Sequence, residues 1–296
     1  MDKKILTVFT PTYNRESLLP NLYKSLCSQT NHDFLWLIID DGSQDRTGEL
    51  VKKWQADGLI TIQYHYKENG GMHTGHNSAY ELIQTELNVC IDSDDYMPDN
   101  AVELILEKWA CVVYKDKYAG IIGLDAFTDN SIVGSKIPEN LSDGSLSDLY
   151  KKYGVTGDKK VILRTDVVKK YPAYPEYKNE KLVPLGTLYT LIGADYSFLY
   201  SNDIYCIVDY QPDGSSHTIF RQYKQSPKGF AYARKIHIKY ADNLLTKLKG
   251  YVNLVSSALF AKDISLAFKG VNPILTILMF PFGTLLYLYI RFKIKK

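Results

Sequence analysis

The feature that most constrains this chain is a change of period, repeated through its first 125 residues. Short, β-rich apolar runs alternate with segments whose apolar residues recur every three or four positions. "ILTVFT" (5–10) reads as a buried strand, and residues 16–29 follow it with Leu18, Leu19, Leu22 and Leu26 on one helical face. "FLWLIID" (34–40) is a strand and "RTGELVKKWQ" (46–55) a helix; "ITIQYHY" (60–66) is a strand and "GHNSAYELIQ" (75–84) a helix. "NVCID" (88–92) is a strand, after which Pro98 opens the helix "DNAVELILEKW" at its first turn, where a missing N–H is harmless. "AGIIGL" (119–124) is a further strand. Alternation of this kind builds βαβ units around a mainly parallel sheet, whose ligands bind beyond the carboxyl ends of the strands.

The loops at those ends hold the polar chemistry. "FTPTYNR" (9–15) puts Pro11, Thr12, Tyr13 and Asn14 at a strand end, a set that also makes ordinary turns and caps. "IIDDGSQDRT" (38–47) ends a buried strand on Asp40 and Asp41. A carboxylate there accepts N–H from a base or O–H from a ribose, while Ser43 or Asp45 equally caps the next helix. In "ENGGMHTGHN" (68–77), Gly70 and Gly71 let a backbone approach closely, but neither GxGxxG nor GxxxxGK[ST] is present. His73 and His76 raise zinc, against which stands the lack of a third soft ligand nearby in sequence. "CIDSDDYMP" (90–98) crowds Asp92, Asp94 and Asp95 together. In an extended chain residues i and i+2 point the same way, so Asp92 and Asp94 would share a side. Their hard oxygens suit Mg²⁺ or Mn²⁺, with ligand phosphates completing the shell; the alternative is a solvated loop with Asp99 starting a helix.

In this order, "TVFTPTYNRESLL", "DDGSQDRT", "NGGMHTGHN" and "IDSDDYMPDN" resemble family 2 glycosyltransferases with the GT-A fold, over about residues 4–125. "EYKNEKLVP" and "IYCIVDYQPDGSSH" are similar, more loosely, to the second half of bacterial capsule and exopolysaccharide members. The resemblance implies that Pro11, Thr12, Tyr13 and Asn14 line a nucleotide pocket and that Asp41, with Asp40, holds the uracil or ribose. It places Gly71, His76 and Asn77 near the nucleotide, with His76 standing where the family often has Arg. Asp92–Ser93–Asp94 would be the DxD motif. Asp92 would approach ribose or metal, Asp94 would bind Mn²⁺ or Mg²⁺ bridging the diphosphate, and Asp95 would support the donor sugar or the loop. His217 would complete the metal shell or touch phosphate.

The implied chemistry is direct displacement with inversion at the anomeric carbon, moving a hexosyl or N-acetylhexosaminyl group from a UDP-sugar. A cation stabilises the departing charge. A carboxylate takes the acceptor's proton, worth roughly 10²–10⁴-fold. Glu180 is the candidate base, with Glu176 and Asp195 as competitors. The position after Pro184, Glu in many relatives, is Leu185, which keeps open a catalytically inactive nucleotide-sugar-binding subunit of a polysaccharide-assembly complex.

Charge separates the rest of the chain. Residues 1–220 hold 21 Lys/Arg and 31 Asp/Glu, whereas residues 221–296 hold 14 Lys/Arg with only Asp242 and Asp263 as acids. A basic arm suggests an anionic partner. Nucleic acid is disfavoured, since no fold signature for it is present and the next stretch is apolar. Val271–Ile290 carries no charge over 20 residues, borderline for a membrane span, and Pro281 argues against one clean helix. Basic, aromatic and apolar residues together fit a membrane-surface region that meets a lipid-linked saccharide acceptor; a self-packed helical cap or an oligomer contact is the alternative. Cys27, Cys90, Cys111 and Cys206 form no CxxC pair, and "MDKKILTVFT" lacks a signal-peptide core. The expectation is a reducing location on the cytoplasmic face of the cell membrane. The expected organisation is an α/β GT-A domain over 1–225, with a nucleotide-binding half (1–125) and an acceptor half (126–225), and a helical region over 226–296. The expected function is metal-dependent, inverting sugar transfer in cell-surface polysaccharide or glycoconjugate synthesis.

Overall fold

A computed structural model describes residues 4–209 and 219–295. They fall into two compact units, one holding residues 4–172 with 192–209 and the other 173–191 with 219–295. Residues 173–191, assigned above to the acceptor half, thus cluster with the C-terminal helices.

The first unit opens with β1 (Leu6–Thr12), α1 (Leu19–Cys27), β2 (Phe34–Asp40), α2 (Thr47–Asp57), β3 (Ile62–Tyr66), α3 (Met72–Leu82), β4 (Leu87–Cys90), α4 (Ala101–Ala110) and β5 (Tyr118–Phe127). Every strand–helix alternation read from the sequence is present. Pro98 lies outside α4, however. Its carbonyl accepts the Ala101 N–H and the Gln29 amide, so the proline shapes the turn before the helix. The unit continues with β6 (Asp143–Gly144), α5 (Leu146–Lys151), β7 (Lys159–Arg164), α6 (Thr165–Val168) and, after α7 (Gly186–Asp195), β8 (Ser197–Val208).

The eight strands lie in the order β3-β2-β1-β4-β7-β5-β8-β6. β1, β2, β3 and β4 are mutually parallel, while β7 enters antiparallel between β4 and β5. The sheet is therefore mixed, and the mainly parallel expectation holds for its first half. The inserted strand is fixed by Asn88, whose buried amide donates to the Leu163 carbonyl at 3.2 Å and to Thr165 Oγ1 at 3.0 Å. Close approach to β5 requires Gly120, at φ +149°, because a Cβ there would strike the Ile162 carbonyl.

Alternation within the strands sends Leu6, Val8, Trp36, Ile38 and Val89 to one face, against Leu19, Leu22 and Leu26 of α1 and Ile105 and Trp109 of α4. Phe9, Leu37 and Ile39 face the other way, against Ala79 of α3 and Ile83. Both faces are covered, which is why these strands read as near-continuous apolar runs.

The second unit contains α8 (Ile219–Gln225), α9 (Pro227–Lys239), α10 (Leu244–Phe260) and α11 (Pro273–Lys295). Ala231, Ile238, Tyr251 and Leu254 form one small core, and Val255, Ala258 and Ala267 another. α11 runs unbroken through Pro281, contrary to expectation. An interior proline costs about 3 kcal/mol. Packing offsets that loss here: two residues later Gly283 lies so close to α10 that a Cβ would stand 2.5 Å from Val255 Cβ.

Candidate functional site at the divergence of the first and fourth strands

β1 is the strand at which the sheet changes direction of growth, with β2 on one side and β4 on the other. Its pairing with β2 continues to Thr12, but pairing with β4 stops at Phe9. Pro11 has no N–H to offer, and after the Ile91 N–H bonds the Phe9 carbonyl at 3.0 Å the two strands part. Parting of this kind at the carboxyl ends, where strand order reverses, makes the crevice in which α/β sheets hold ligands.

One wall is the segment after β1. Pro11 and Thr12 are buried, while Tyr13 stands 47 % exposed. Asn14 adopts φ 52° and is stitched to the loop after β2: its N–H donates to Ser43 Oγ at 2.9 Å and its Oδ1 accepts the Gln44 N–H at 2.8 Å. Asn14 thereby fixes one loop against another and leaves Tyr13 as the protruding side chain.

Asp40 and Asp41 are both buried and both engaged. Asp40 accepts from Tyr64 Oη at 2.6 Å and from the Ser43 N–H at 2.7 Å. Asp41 accepts the Gly70 N–H at 2.8 Å and the Gly71 N–H at 2.7 Å, and pairs with Lys67 Nζ at 2.7 Å. Together they anchor the loops after β2 and β3. Gly71, at φ 95°, precedes α3 directly.

His76 departs from expectation. It is 1 % exposed, with Phe9 and Tyr80 edge-on to its ring, and its Nε2 lies 3.6 Å from Cys90 Sγ. Burial lowers its pKa to about 4, so it is neutral at ordinary pH. α3 turns this side chain onto the sheet, against Phe9 and Cys90. Asn77, its neighbour, is partly exposed.

The acidic stretch also differs in form. β4 ends at Cys90, and Asp92–Asp95 make a turn closed by the Asp95 N–H on the Asp92 carbonyl at 3.1 Å. The argument that i and i+2 share a side of an extended chain does not apply to a turn. The carboxyls are nonetheless crowded. Burial and then the Asp92 charge raise Asp94, with Arg15 opposing. Burial pushes Asp95 up to about 7, Lys160 resists, and Asp92 and Asp94 add to the rise. Ser93 is buried. Asp95 turns toward β8, where its Oδ1 accepts the Asp209 N–H at 3.3 Å.

Three residues here were not singled out from sequence: Lys160, Asp125 and Asp209. Lys160 Nζ lies 3.8 Å from Asp125 Oδ1, with the two side chains 13 % and 4 % exposed. Burial works against the lysine's charge, but Asp125, followed by Asp95 and Asp92 among the carboxylates, holds its proton well above the usual range. The inserted β7 thus brings one enclosed cation to the acidic turn. The only sequence signal was a lysine inside an apolar strand, which does not distinguish an inward from an outward side chain.

Among the described residues, no three His, Cys, Asp or Glu side chains gather as a closed metal site. Asp92 and Asp94 still fit a hard divalent cation of the kind that takes only one or two protein carboxylates. Both present oxygen, both lie on one short turn, and burial and then the Asp92 charge penalise the ionised form of Asp94. His217 lies outside the described residues. Glu180, the candidate base, accepts the Lys228 N–H at 3.1 Å and the Gly229 N–H at 2.9 Å, one on each oxygen, at the first turn of α9. The structure thus gives it a helix-capping task. Asp195 accepts from Tyr171 Oη at 2.8 Å, and Glu176 lies in the 173–191 segment of the second unit.

The fold is that of the GT-A glycosyltransferases. It aligns with Staphylococcus aureus TarS 1–349 in complex with UDP-GlcNAc at a TM-score of 0.59 and 16 % identity, covering 89 % of each chain. It aligns with the mannosyltransferase PcManGT of Pyrobaculum calidifontis, in complex with GDP-Man and Mn²⁺, at a TM-score of 0.56 and 16 % identity, covering 97 % of this chain and 81 % of that one. Residues 7–112 match the glycosyl transferase family 2 model. The chain's relatives include the glycosyltransferase GlyA of Streptococcus pneumoniae, 31 % identical over 108 residues, which are 36 % of this chain and 15 % of the relative. They also include the undecaprenyl-phosphate 4-deoxy-4-formamido-L-arabinose transferase of Pseudomonas paraeruginosa, 27 % identical over 110 residues, 36 % of this chain and 32 % of the relative. The matched segment is thus well under half the length of either.

Proposed function

We propose that this protein transfers a sugar from a nucleoside-diphosphate donor, a UDP-sugar, to a hydroxyl of a saccharide acceptor, with inversion. The observation that carries the reading is the acidic turn Asp92–Asp95 at the mouth of the β1–β4 crevice. Tyr13, Asn77 and the Gly70–Gly71 backbone would meet the nucleotide, and Asp40 and Asp41 would position the loops that do so. Asp92 and Asp94 would hold Mn²⁺ or Mg²⁺. Such a cation, when bound, supplies Lewis-acid stabilisation of the departing diphosphate. Asp95, fixed by Asp209 and balanced by Lys160, would keep the turn in shape. The TarS and PcManGT complexes support a nucleotide-sugar donor, and the second supports a divalent ion. The arabinose transferase, named for undecaprenyl phosphate, supports a lipid-linked acceptor. Work at the cytoplasmic face of the membrane, in cell-surface polysaccharide or glycoconjugate synthesis, is part of the same proposal.

A second reading is a nucleotide-sugar-binding subunit without activity, favoured by one observation: the candidate base Glu180 has both oxygens on α9 N–H groups. One experiment separates the two. The protein is incubated with a panel of UDP-sugars and Mn²⁺, UDP release is measured, and UDP binding is followed by calorimetry with Asp94→Asn as control. Release with one donor, and at least a tenfold loss of Mn²⁺-dependent binding in the variant, supports transfer. Binding without release from any donor supports the second reading, and neither binding nor release refutes both.

A further inference from the structure

The surface of α11 is divided lengthwise. Thr276, Gly283 and Ile290, seven apart, are buried within the second unit. Thr276 Oγ1 donates to the Ala267 carbonyl at 2.9 Å, Gly283 abuts Val255, and Tyr287 meets Phe260 ring to ring at 4.7 Å. With the Asn272 N–H on Tyr251 Oη at 3.0 Å, this contact runs from residue 272 to 287. At 3.6 residues per turn, the opposite side carries Ile274, Ile277, Leu278, Phe282, Leu285 and Phe292. Each of these is more than half exposed. The apolar stripe extends along a helix of about 34 Å, more bare surface than a protein surrounded by water ordinarily keeps.

We infer that α11 is an in-plane membrane helix. It sinks this stripe into the acyl boundary of an anionic phospholipid surface, does not cross the bilayer, and leaves α10 and the 261–272 segment on the water side. The inference rests on the reading that this unit meets a membrane, and it specifies how.

Length and composition alone would allow crossing, since Pro273–Ile294 has a mean hydropathy of 1.8. The neighbours decide otherwise. Residues 261–272, which Thr276 grips through Ala267, carry Lys262, Asp263 and Lys269. Lys262 and Lys269 are exposed. A spanning α11 would draw those charges to hydrocarbon depth, which is strongly unfavourable. Lying flat, α11 wets only its bare side with lipid and keeps its packed side, with the charges, in water.

Charge selects the lipid. α11 has no acidic residue; its described bases, Arg291 and Lys293, are both exposed. They fall on opposite shoulders of the stripe, about 100° either side of its midline. From there long cationic side chains reach up to phosphate level while their stems lie along the apolar boundary.

The test uses the full-length chain. Flotation with phosphatidylcholine vesicles, with and without phosphatidylglycerol, is expected to show binding that rises with the anionic lipid. Leu285→Glu is expected to weaken it more than tenfold. Arg291→Gln and Lys293→Gln are each expected to weaken it about fivefold, on anionic vesicles only. The position of the helix is then read with Ile294→Cys in a Cys111→Ser background, labelled by a membrane-impermeant maleimide in inverted membrane vesicles. Equal labelling before and after detergent supports the in-plane helix. Labelling that needs detergent overturns it while leaving the membrane reading intact. No flotation on either vesicle, or a lipid-free dimer that Leu285→Glu dissociates, overturns both.

Discussion

Replacing Asp41 by Asn tests whether the acidic pair after β2 builds the site or only decorates it. The Asp41 side chain is 6 % exposed and answers three donors at 2.7–2.8 Å: the Gly70 and Gly71 amides and Lys67 Nζ. Asn keeps the shape but loses the charge, and its NH₂ turns a donor toward donors. A hydrogen bond to a charged group contributes about 1.5–3 kcal/mol, and a carboxamide retains at most part of two. Lys67 keeps Thr74 Oγ1 and the Glu68 carbonyl but loses its anion, at 19 % exposure. A net loss of about 3 kcal/mol follows, mostly local to the 67–71 loop. At about 1.4 kcal/mol per decade, amide exchange at Gly70 and Gly71 should speed up roughly a hundredfold. Hydrogen exchange read by NMR measures this directly. A cycle with Lys67→Met should return a coupling of about 1–3 kcal/mol. Unchanged exchange at both glycines, with a stability change under about 0.5 kcal/mol, would refute the assignment of Asp41 as the anchor of this loop.

Glu180→Gln should lower thermal stability by about 1 kcal/mol through the weakened α9 cap, while kcat for donor turnover changes less than tenfold; a loss of 10² or more would return Glu180 to the role of base. His76 has a folded pKa of about 4 against 6.5 in the unfolded chain, so the unfolded state takes the proton first as pH falls. Stability should therefore be flat above pH 6.5 and decline by about 3 kcal/mol between 6.5 and 4, and His76→Gln should remove that part of the slope in urea titrations at stepped pH. Gly120→Ala, which drives a Cβ onto the Ile162 carbonyl, should cost more than about 3 kcal/mol and appear as insoluble or unfolded protein by circular dichroism.

The alternation of periods made the first five strands and four helices legible, because residues such as Leu19, Leu22 and Leu26 face a sheet buried on both sides. The insertion of β7 was not legible. "KVILR" has the same apolar pattern whichever strand it pairs with, and only the Asn88 bonds and the Gly120 approach decide. The site was legible as a set of loops, less so as roles. Asp40, Asp41 and Asn14 look like ligand groups in a line of sequence, and the structure adds that their side chains also fasten neighbouring loops. Burial of His76 depends on the rotation of α3 about its axis, which no local motif records. Continuity of α11 through Pro281 depends on Gly283 meeting Val255, a contact between residues far apart in the chain.

The inserted strand also bears on how the protein is made. Asn88 waits for a partner 75 residues further along the chain. Until β7 emerges from the ribosome, β4 presents a bare edge, and the acidic turn beyond it has no Lys160 to offset its charge. An unpaired, apolar edge of this kind recruits other strands. A nascent chain, or a fragment ending near residue 125, would hold most of the family's sequence signature and still be sticky and unfinished. Delay between those two stretches of synthesis is where a chaperone would matter most.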